Sequence, residues 1–591
     1  MKDFFKYVLA TVVGLILFFL VLAIFGTMSL VGMVASGEST KSVKDNSVFV
    51  LKLNSTMDER ADGDLMSKFT GAGSETVGLD EILSAIEKAK NNDKIKGIYL
   101  EADGFSPDSY ASLQAIRRAL TEFKKSGKWI VSYGDTYTTA EYYLASVGDK
   151  IFVNPQGMID IHGMASQPMF LKDLLAKVGV KMQLSKVGTY KSAPEMFTAD
   201  RMSDANREQV SVYVNGIWDN IVSDITLSRK ISKDVFNQYA DSMTIFKPAE
   251  EYLKMKLADK LIYASEVKNE VKTLLKLDKD DDINQLSLAD MANVKRDRHN
   301  GDEIAVYYAY GDIVDNDQVN PMSGGGHKIV GKDVVKDLLE LADDDDVKAV
   351  VLRVNSDGGS AYASEQIWHA MKQLKAKKPV VVSMGGMAAS GGYYISSPAN
   401  YIVAEPTTIT GSIGIFGMFP DASELLTQKL GVKFDEVKTN ANATLGTRAR
   451  PFNANEMAML NTYIERGYKL FRSRVAEGRK MPAEAVEKIA QGRVWLGQDA
   501  LRIKLVDELG GLDLAVAKAA KLAKLDEYYT EAYPGKADWM DQLMKTTSGD
   551  SYLNSQLKAT LGEFYMPFMM LKNINYHSAI QARIPYIIRV E

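Results

Sequence analysis

The chain of 591 residues contains no cysteine, which excludes disulfide bonds, thiolate metal sites and a cysteine nucleophile. It also lacks an excess of positive charge, since 71 Lys and Arg residues face 76 Asp and Glu residues. Without a chain-wide basic field, nucleic acid is not expected as a partner. Histidine is scarce as well: there are five, and none is close in sequence to the serine motif described below. What the chain does have is length and 46% hydrophobic residues, which together predict two or more globular cores.

The N-terminal region contains a long apolar run, because residues 7–34 carry no charged side chain. The run is long enough to span a bilayer with tilt, and longer than the apolar region usual in a cleaved signal peptide. We therefore predict a transmembrane helix as a membrane anchor over residues 1–35, followed by a polar tether over 36–46. The short leading segment with Lys2 and Lys6 favours an N-terminus in the cytoplasm. The bulk of the chain would then lie on the periplasmic, extracytoplasmic side of the inner membrane.

Strand-like and helix-like runs alternate along the rest of the chain, which predicts an α/β fold. The alternation fills residues 47–277, stops in a polar and acidic stretch over 278–302, and then starts again. We predict a linker at that stretch and a second half over 303–525. A C-terminal tail follows over 526–591, and its role stays open.

The two alternating regions are related by an internal repeat with a spacing of about 250 residues. VSYGDTYTTAEYYLAS at 131–146 returns as VSMGGMAASGGYYISS at 382–397, and LAKVGVK at 175–181 returns as TQKLGVK at 427–433. A repeat of this length predicts two homologous halves.

The stretch over residues 379–399 has the pattern of a strand, a glycine break and a short helix. A Val-rich strand begins at Pro379, the glycines at 385–386 are predicted to end it, and Ser390 stands at the start of the helix. A hydroxyl there is well placed for developing negative charge, because free N–H groups and the helix dipole point at it. The alternative is that Ser390 only caps the helix, since serine is a favoured capping residue.

The halves differ at this motif. Thr139 stands where the second half has Ser390, and Ala140 and Glu141 replace the two glycines that follow. The loop over 103–106 also lacks the twin glycine of its counterpart, NSDGGS. We therefore predict that only the second half keeps a nucleophile.

The first half has a lysine that the second half lacks. In the alignment of the halves, Lys191 falls opposite Ala441. A single lysine is usually a solvated surface residue. Because one half keeps the serine and the other half keeps the lysine, we predict that Lys191 and Ser390 form one shared site.

A serine hydroxyl becomes a good nucleophile when a neighbouring base takes its proton, and a neutral lysine can be that base. Neutrality requires burial, which lowers the pKa of lysine. Ser412 is a candidate to orient the amine, although it could also be an ordinary turn serine. The backbone N–H groups of Gly359 and Gly391 are candidates for an oxyanion hole. This chemistry requires no metal and no organic cofactor.

Four segments closely resemble the long, duplicated form of the signal peptide peptidase A family, also called protease IV: RVNSDGGSAYASE, VSMGGMAASGGYYIS, TGSIGIFG and GTYKSA. The resemblance implies tandem domains related to crotonases and the Clp protease, with a Ser-Lys dyad at Ser390 and Lys191. It also implies degradation of cleaved signal peptides at the membrane and a homotetramer. Asp357 departs from the family motif, which commonly has proline beside the oxyanion loop.

We therefore predict a membrane-anchored serine endopeptidase that cleaves signal peptide remnants and other short apolar peptides at the lipid bilayer. Two alternatives remain at this point. A crotonase-like acyl-CoA enzyme would use similar glycine N–H groups on a thioester, and measured binding of coenzyme A would favour it. A non-catalytic membrane scaffold would keep the fold, and it would leave Ser390 unlabelled by a serine-directed probe.

Overall fold

The computed structural model describes residues 6–7, 14, 18, 21, 41–61, 76–295, 301–316, 327–535, 560–562 and 580–583. The predicted membrane anchor lies almost entirely outside these ranges. Within them, no helix has both the length and the apolar character needed to cross a membrane.

The first half alternates strands and helices, as its pattern predicts. In chain order it contains β1 (Ser47–Leu53), β2 (Thr56–Asp58), β3 (Thr76–Gly78), α1 (Leu79–Asn91), β4 (Ile95–Ala102), α2 (Tyr110–Lys125), β5 (Trp129–Tyr137), α3 (Thr139–Ala145), β6 (Lys150–Ile159), α4 (Lys172–Val178), β7 (Lys181–Lys186), α5 (Glu195–Thr198), α6 (Asp204–Arg229), α7 (Lys233–Asp241), α8 (Ala249–Lys254), β8 (Lys260–Leu261), α9 (Ala264–Leu275), β9 (Asn284–Leu286) and α10 (Leu288–Ala292).

The second half repeats this order. It contains β10 (Asp302–Tyr310), β11 (Asp312–Val314), β12 (Lys328–Val330), α11 (Gly331–Asp343), β13 (Val347–Ser356), β14 (Gly358–Ser360), α12 (Ala361–Lys377), β15 (Val380–Ala389), α13 (Gly391–Ser396), β16 (Tyr401–Ala404), β17 (Ile409–Gly411), β18 (Phe416–Asp421), α14 (Ala454–Arg479), α15 (Ala483–Ile489), β19 (Val494–Leu496), α16 (Gly497–Arg502), β20 (Glu508–Leu509), α17 (Leu512–Ala523), β21 (Tyr528–Tyr533) and β22 (Ile580–Arg583).

Each half is built on a sheet of mainly parallel strands covered by helices. The first sheet has the order β8-β6-β5-β4-β1-β9, and all its neighbours are parallel. The second has the main order β19-β17-β15-β13-β10-β21, with β16 and β20 attached beside β15. The covering helices are amphipathic. Helix α1, for example, buries one stripe of apolar residues with helical spacing: Leu79, Ile82, Ala85, Ile86 and Ala89.

The equivalence of the halves extends beyond the predicted boundaries. Strand β9 pairs with β1 at the edge of the first sheet, and β21 pairs in the same way with β10 in the second. The structure therefore corrects the predicted linker at 278–302, because its residues 284–292 form β9 and α10 of the first half. Leu286 is the one buried side chain of β9, so the strand has almost no hydrophobic signal in the sequence. The predicted tail at 526–591 likewise begins with an edge strand, β21.

Strand β15 runs from Val380 to Ala389 without a break, so the predicted end at the twin glycine is wrong. The first half covers both glycines closely. A Cβ atom at Gly385 would lie 2.4 Å from Oε1 of Glu59, and one at Gly386 would lie 2.4 Å from Cβ of Ser109. The glycines therefore admit the neighbouring half beside a continuing strand.

A third sheet joins the halves, with the order β12-β11-β14-β22-β18-β7. Strand β7 of the first half pairs antiparallel with β18 of the second, from Lys186 opposite Phe416 to Lys181 opposite Asp421. The hydrophobic core of the first half also includes three residues of the second: Ala389, Ile409 and Leu496. The two halves therefore share a ladder of strand hydrogen bonds and a common apolar contact.

A buried ion pair ties the halves together beside this contact. Nη2 and Nε of Arg353 lie 2.8 and 3.0 Å from the carboxylate oxygens of Glu59. The Arg353 side chain is 4% exposed and the Glu59 side chain 1%. Arg353 also donates to Oγ of Ser383 at 3.0 Å, so the pair is held within a wider hydrogen-bond network.

We expect Glu59→Ala to lower the free energy of unfolding by about 3–5 kcal/mol, because the change leaves the Arg353 guanidinium buried without its partner. Chemical denaturation followed by circular dichroism measures this loss. Glu101→Ala is the control, since its pair with Lys52 is exposed and is expected to contribute less than about 1 kcal/mol. Equal losses in the two variants would contradict the prediction.

Candidate active site

The structure brings Lys191, Ser390 and Ser412 together at the junction of the halves. Nζ of Lys191 lies 2.7 Å from Oγ of Ser390, 3.0 Å from Oγ of Ser412 and 3.3 Å from the Ser412 carbonyl oxygen. All three residues are buried, with 1%, 0% and 1% of their surface exposed. The lysine of one half thus meets the serine of the other.

Ser390 occupies the turn between β15 and α13 in a strained backbone conformation. Its φ is 55° and its ψ is −111°, a region that residues with a Cβ atom seldom adopt. The backbone holds it from both sides, since Ser390 N donates to the Gly411 carbonyl at 2.8 Å and Tyr394 N donates to the Ser390 carbonyl at 2.8 Å. The hydroxyl turns toward Lys191 instead of capping α13, so the capping alternative does not describe this serine.

Lys191 follows β7 in a loop that the second half holds by its backbone. Tyr190 N donates to the Gln491 carbonyl at 2.9 Å, and Val187 N donates to the Ile415 carbonyl at 3.3 Å. Gly492 permits this approach, because a Cβ atom there would lie 2.6 Å from the backbone nitrogen of Lys191. Gly492 is not among the residues predicted from the sequence, because the left-handed conformations of Gln491 and Gly492 are visible only in the structure.

The surroundings of Lys191 favour the neutral amine. Burial lowers the pKa of its ammonium group well below the usual value, and the negative charge of Asp357 opposes this shift. A neutral amine has two N–H donors and one lone pair. The Ser390 hydroxyl can donate to that lone pair, while the amine donates to the Ser412 hydroxyl and carbonyl oxygens. The three contacts therefore match the hydrogen-bonding capacity of a general base.

Ser412 is held so that both of its oxygens face the amine. Its backbone N donates to the Arg493 carbonyl at 2.7 Å, and its φ of 50° turns the chain toward Lys191. Ser412 is thus in place to act as a positioning residue for the lysine.

We expect Ser412→Ala to lower kcat about tenfold with little change in KM, because the amine loses one orienting hydrogen bond and keeps the carbonyl contact. Steady-state kinetics on a peptide substrate measures both constants. Ser396→Ala is the matched control, since this serine is equally buried but donates to the Gly392 carbonyl, away from Lys191. A kcat in Ser412→Ala equal to that of the control would contradict the prediction.

The two candidate oxyanion glycines lie on adjoining elements. Gly391 is the first residue of α13, and Gly359 is in β14, where it pairs with Ile313 of β11. A Cβ atom at Gly391 would lie 3.1 Å from Cα of Gly358, so β14 passes directly beside the helix N-terminus. Gly358 N already donates to Oγ of Ser356 at 3.1 Å, which leaves the Gly359 N–H as the candidate donor of this loop.

The first half shows what the equivalent loop can bind. Gly104 N and Phe105 N donate to the same Glu141 carboxylate oxygen at 2.9 and 3.0 Å. Glu141 is 1% exposed, and it stands where the second half has Gly392. Thr139 donates to the Asp160 carbonyl at 3.0 Å, so its hydroxyl is also engaged. These loop amides are therefore suited to bind an oxygen anion, and in the first half a side chain occupies them.

Among the described residues, no group of three or more His, Asp and Glu side chains is arranged as metal ligands would be.

Models of known protein families match both halves of the chain. The model of peptidase family S49 matches residues 122–278 and 372–526, and the Clp protease model matches residues 302–405. The two S49 matches begin in the equivalent helices α2 and α12 and end just beyond α9 and α17. The fold is therefore a Clp-protease-like α/β fold in two homologous halves.

Three curated relatives cover most of the chain. It is 40% identical over 499 residues to Protease 4 of Salmonella typhi, covering 82% of this chain and 79% of that protein. It is 35% identical over 522 residues to Protease 4 of Haemophilus influenzae, covering 84% and 82%. It is 32% identical over 492 residues to the chloroplastic serine protease SPPA of Arabidopsis thaliana, covering 82% and 70%.

Proposed function

The chain belongs to peptidase family S49 and is a serine protease, and we propose that it is a membrane-anchored endopeptidase in which Ser390 and Lys191 form the catalytic dyad. The observation that carries the proposal is the buried contact of 2.7 Å between Nζ of Lys191 and Oγ of Ser390. This contact joins the two halves: the first supplies the lysine, where the second has Ala441, and the second supplies the serine, where the first has Thr139.

In the proposed reaction, Oγ of Ser390 attacks the peptide carbonyl carbon while its proton passes to the lone pair of Nζ of Lys191. The carbonyl electron pair moves onto oxygen and forms a tetrahedral oxyanion. As the C–N bond breaks, the Lys191 ammonium gives its proton to the leaving amine, and the acyl group remains on Ser390. Water then attacks the ester with Lys191 again as base, which releases the acid and restores the serine.

The Gly359 and Gly391 N–H groups are proposed to bind the oxyanion. The occupied loop of the first half supports the role of the Gly359 amide, because Glu141 there accepts hydrogen bonds from Gly104 N and Phe105 N of the corresponding loop. Such donors are usually worth about 2.7–4 kcal/mol each in transition-state stabilisation. Their backbone origin means that no side-chain substitution removes them directly.

The proposed substrates are signal peptide remnants and other short apolar peptides. The uncharged run at 7–34 supports anchoring in the inner membrane, into which apolar signal peptide remnants partition, and Lys2 and Lys6 support placing the bulk of the chain outside the cytoplasm. By resemblance to signal peptide peptidase A, we also propose a homotetramer. Membership of a peptidase family argues against the acyl-CoA enzyme, and the retained Ser-Lys contact argues against a scaffold.

Labelling with a fluorophosphonate probe tests the proposal. The probe should modify the purified full-length chain at Ser390, as located by peptide mass spectrometry, and Ser390→Ala should remain unlabelled. Lys191→Met should label far more slowly, because the serine loses its base. A labelled Ser390→Ala protein, or an unlabelled wild type that cleaves peptides, would rule out Ser390 as the nucleophile.

A further inference from the structure

A strand from the C-terminal end of the chain lies in the candidate active site. Strand β22 pairs antiparallel with β14 on one side, where Ala582 is opposite the candidate oxyanion residue Gly359. On its other side it pairs antiparallel with β18, where Gln581 is opposite Phe416. Four residues of this chain thus run in extended form between the oxyanion loop and the strand that joins the halves. Extended peptides are commonly bound by such addition of a strand to a sheet.

The position of Ala582 relates β22 to the reacting atoms. A Cβ atom at Gly358 would lie 1.9 Å from the Ala582 carbonyl oxygen and 2.8 Å from Gly391 N. The Ala582 carbonyl therefore lies beside the Gly391 amide, which is proposed to bind the oxyanion. The side chain of Ala582 is fully buried. In a substrate held in the same register, the scissile carbonyl would belong to the residue at the place of Ala582. The next residue along the strand, Arg583, would follow the scissile bond.

Arg583 is held by two carboxylates. Its Nε lies 3.2 Å from a carboxylate oxygen of Asp357, and Nη2 forms an ion pair with Asp312. The arginine side chain is 20% exposed, Asp357 25% and Asp312 51%, so the group lies at the mouth of the site and is only partly screened by water. Burial raises the pKa of Asp357 to about 6, the Arg583 charge opposes this rise, and Asp312 adds to it.

We propose that Asp312 and Asp357 form a specificity subsite for a basic side chain, at the first substrate position after the scissile bond. The inference rests on the proposed function, because it takes its register from the Gly359 and Gly391 oxyanion hole. The guanidinium of Arg583 shows the chemistry of the ligand: a planar cation on an extended backbone, paired with two acids.

The charge balance of the site explains the preference. Without a cation, two neighbouring carboxylates face each other beside the scissile bond, and an apolar or acidic substrate side chain would leave them unpaired. Asp357 also acts on Lys191, since its negative charge favours the ammonium form. A basic substrate side chain would offset that charge and so favour the neutral amine when the substrate is in place.

Apolar substrates are still expected, with a basic side chain at one position only. Ile580, two residues before Ala582, packs against the hydrophobic core of the second half. Apolar side chains therefore suit the positions before the scissile bond, and a basic one suits the position after it. The proline common in the family at position 357 has no charge, so the subsite would be particular to chains with an acid there.

The test compares peptides that differ at one position. Quenched fluorogenic peptides containing Ile-Gln-Ala-Xaa, with Xaa as arginine, citrulline, norleucine or glutamate, are cleaved by the full-length enzyme, and mass spectrometry locates the cut. Citrulline keeps the shape of arginine without its charge. We expect kcat/KM for arginine to exceed that for citrulline about tenfold, as for the loss of one partly buried charge pair.

Variants of the subsite should change that ratio. Asp312→Asn is expected to lower the arginine to citrulline ratio severalfold, since only Asp357 then remains to pair with the cation, and Asp312→Lys to favour glutamate over arginine, which a merely structural defect would not produce. Asp315→Asn is the matched control, because this acid accepts from Oγ of Ser360 and should leave the ratio unchanged. Thermal unfolding checks that all variants fold.

A second readout separates this inference from the proposed function. Binding of the same peptides to the Ser390→Ala variant, measured by fluorescence anisotropy, should show the same order without turnover. Cleavage of arginine and citrulline peptides at equal rates by wild type would overturn the subsite and leave the dyad standing. Failure of wild type to cleave any peptide or to react with the fluorophosphonate would overturn both.

Discussion

Ser390→Ala is expected to lower kcat by about 10⁴-fold or more while the protein stays folded, because the nucleophile is lost and no other group can form the acyl-enzyme. The change removes a single oxygen atom, and alanine inherits the same backbone turn. Single-turnover assays with excess enzyme measure the residual rate, and circular dichroism reports the fold. A folded Ser390→Ala protein with turnover near that of wild type would contradict the assignment.

Ser390→Gly is the informative companion variant. It should be equally inactive, but more stable than Ser390→Ala by about 1–3 kcal/mol, because glycine adopts a φ of 55° without strain. Equal stability of the two variants would mean that the turn stores little strain, whatever the catalytic result.

Lys191→Met is expected to lower kcat by about 10³–10⁴-fold, since general-base catalysis and the activation of the serine are both lost. Lys191→Arg should be inactive as well, because a guanidinium stays charged and cannot accept the serine proton. In the wild type, activity should rise with pH through the lowered pKa of Lys191, since only the deprotonated amine is a base. A pH-rate profile measured where chemistry is rate-limiting tests this, and a flat profile from mildly acidic to mildly basic buffer would contradict it.

Lys191→Met should lower activity but raise the free energy of unfolding. The pKa of Lys191 is lower in the folded protein than in the unfolded chain, so the unfolded chain binds more protons between the two values. Wild-type stability should therefore rise with pH in that window, and the rise should be absent in Lys191→Met. At neutral pH, Lys191→Met should unfold at a higher denaturant concentration than wild type, because the cost of burying the amine is removed.

Lys191 and Ser390 lie in contact within one chain, which adds a control for the proposed role of Lys191. Ser390→Ala and Lys191→Ala subunits produced together should stay inactive, because neither chain holds both reactive groups. Recovery of a substantial fraction of wild-type activity would show that the site is shared between subunits.

The sequence predicted the repeat, the α/β fold and the meeting of Lys191 with Ser390, because complementary losses in two copies carry information that a single motif does not. It predicted the wrong end for β15, since the partners of its two glycines, Glu59 and Ser109, lie far earlier in the chain, in the other half. Packing between residues so far apart in the chain leaves no local pattern in the sequence.

Strands β9 and β22 could not be predicted from the sequence for a related reason. Edge strand β9 has one buried residue, so its composition is that of a linker. Strand β22 is four residues long, and its partners come from two distant strands, so nothing near it in the sequence indicates the pairing. The candidate oxyanion loop, in contrast, was predicted from its glycines, and the occupied loop of the first half gives a chemical reason to keep that prediction.

Glu141 also bears on how the duplication can be engineered or reversed. A Thr139→Ser change would place a serine in the first half two residues before Glu141, whose carboxylate already fills the anion-binding amides of Gly104 and Phe105. A developing oxyanion would there meet a like charge instead of free N–H groups. A second active centre would therefore also require the loss of Glu141 and a lysine in place of Ala441, so no single substitution makes the two halves chemically equivalent.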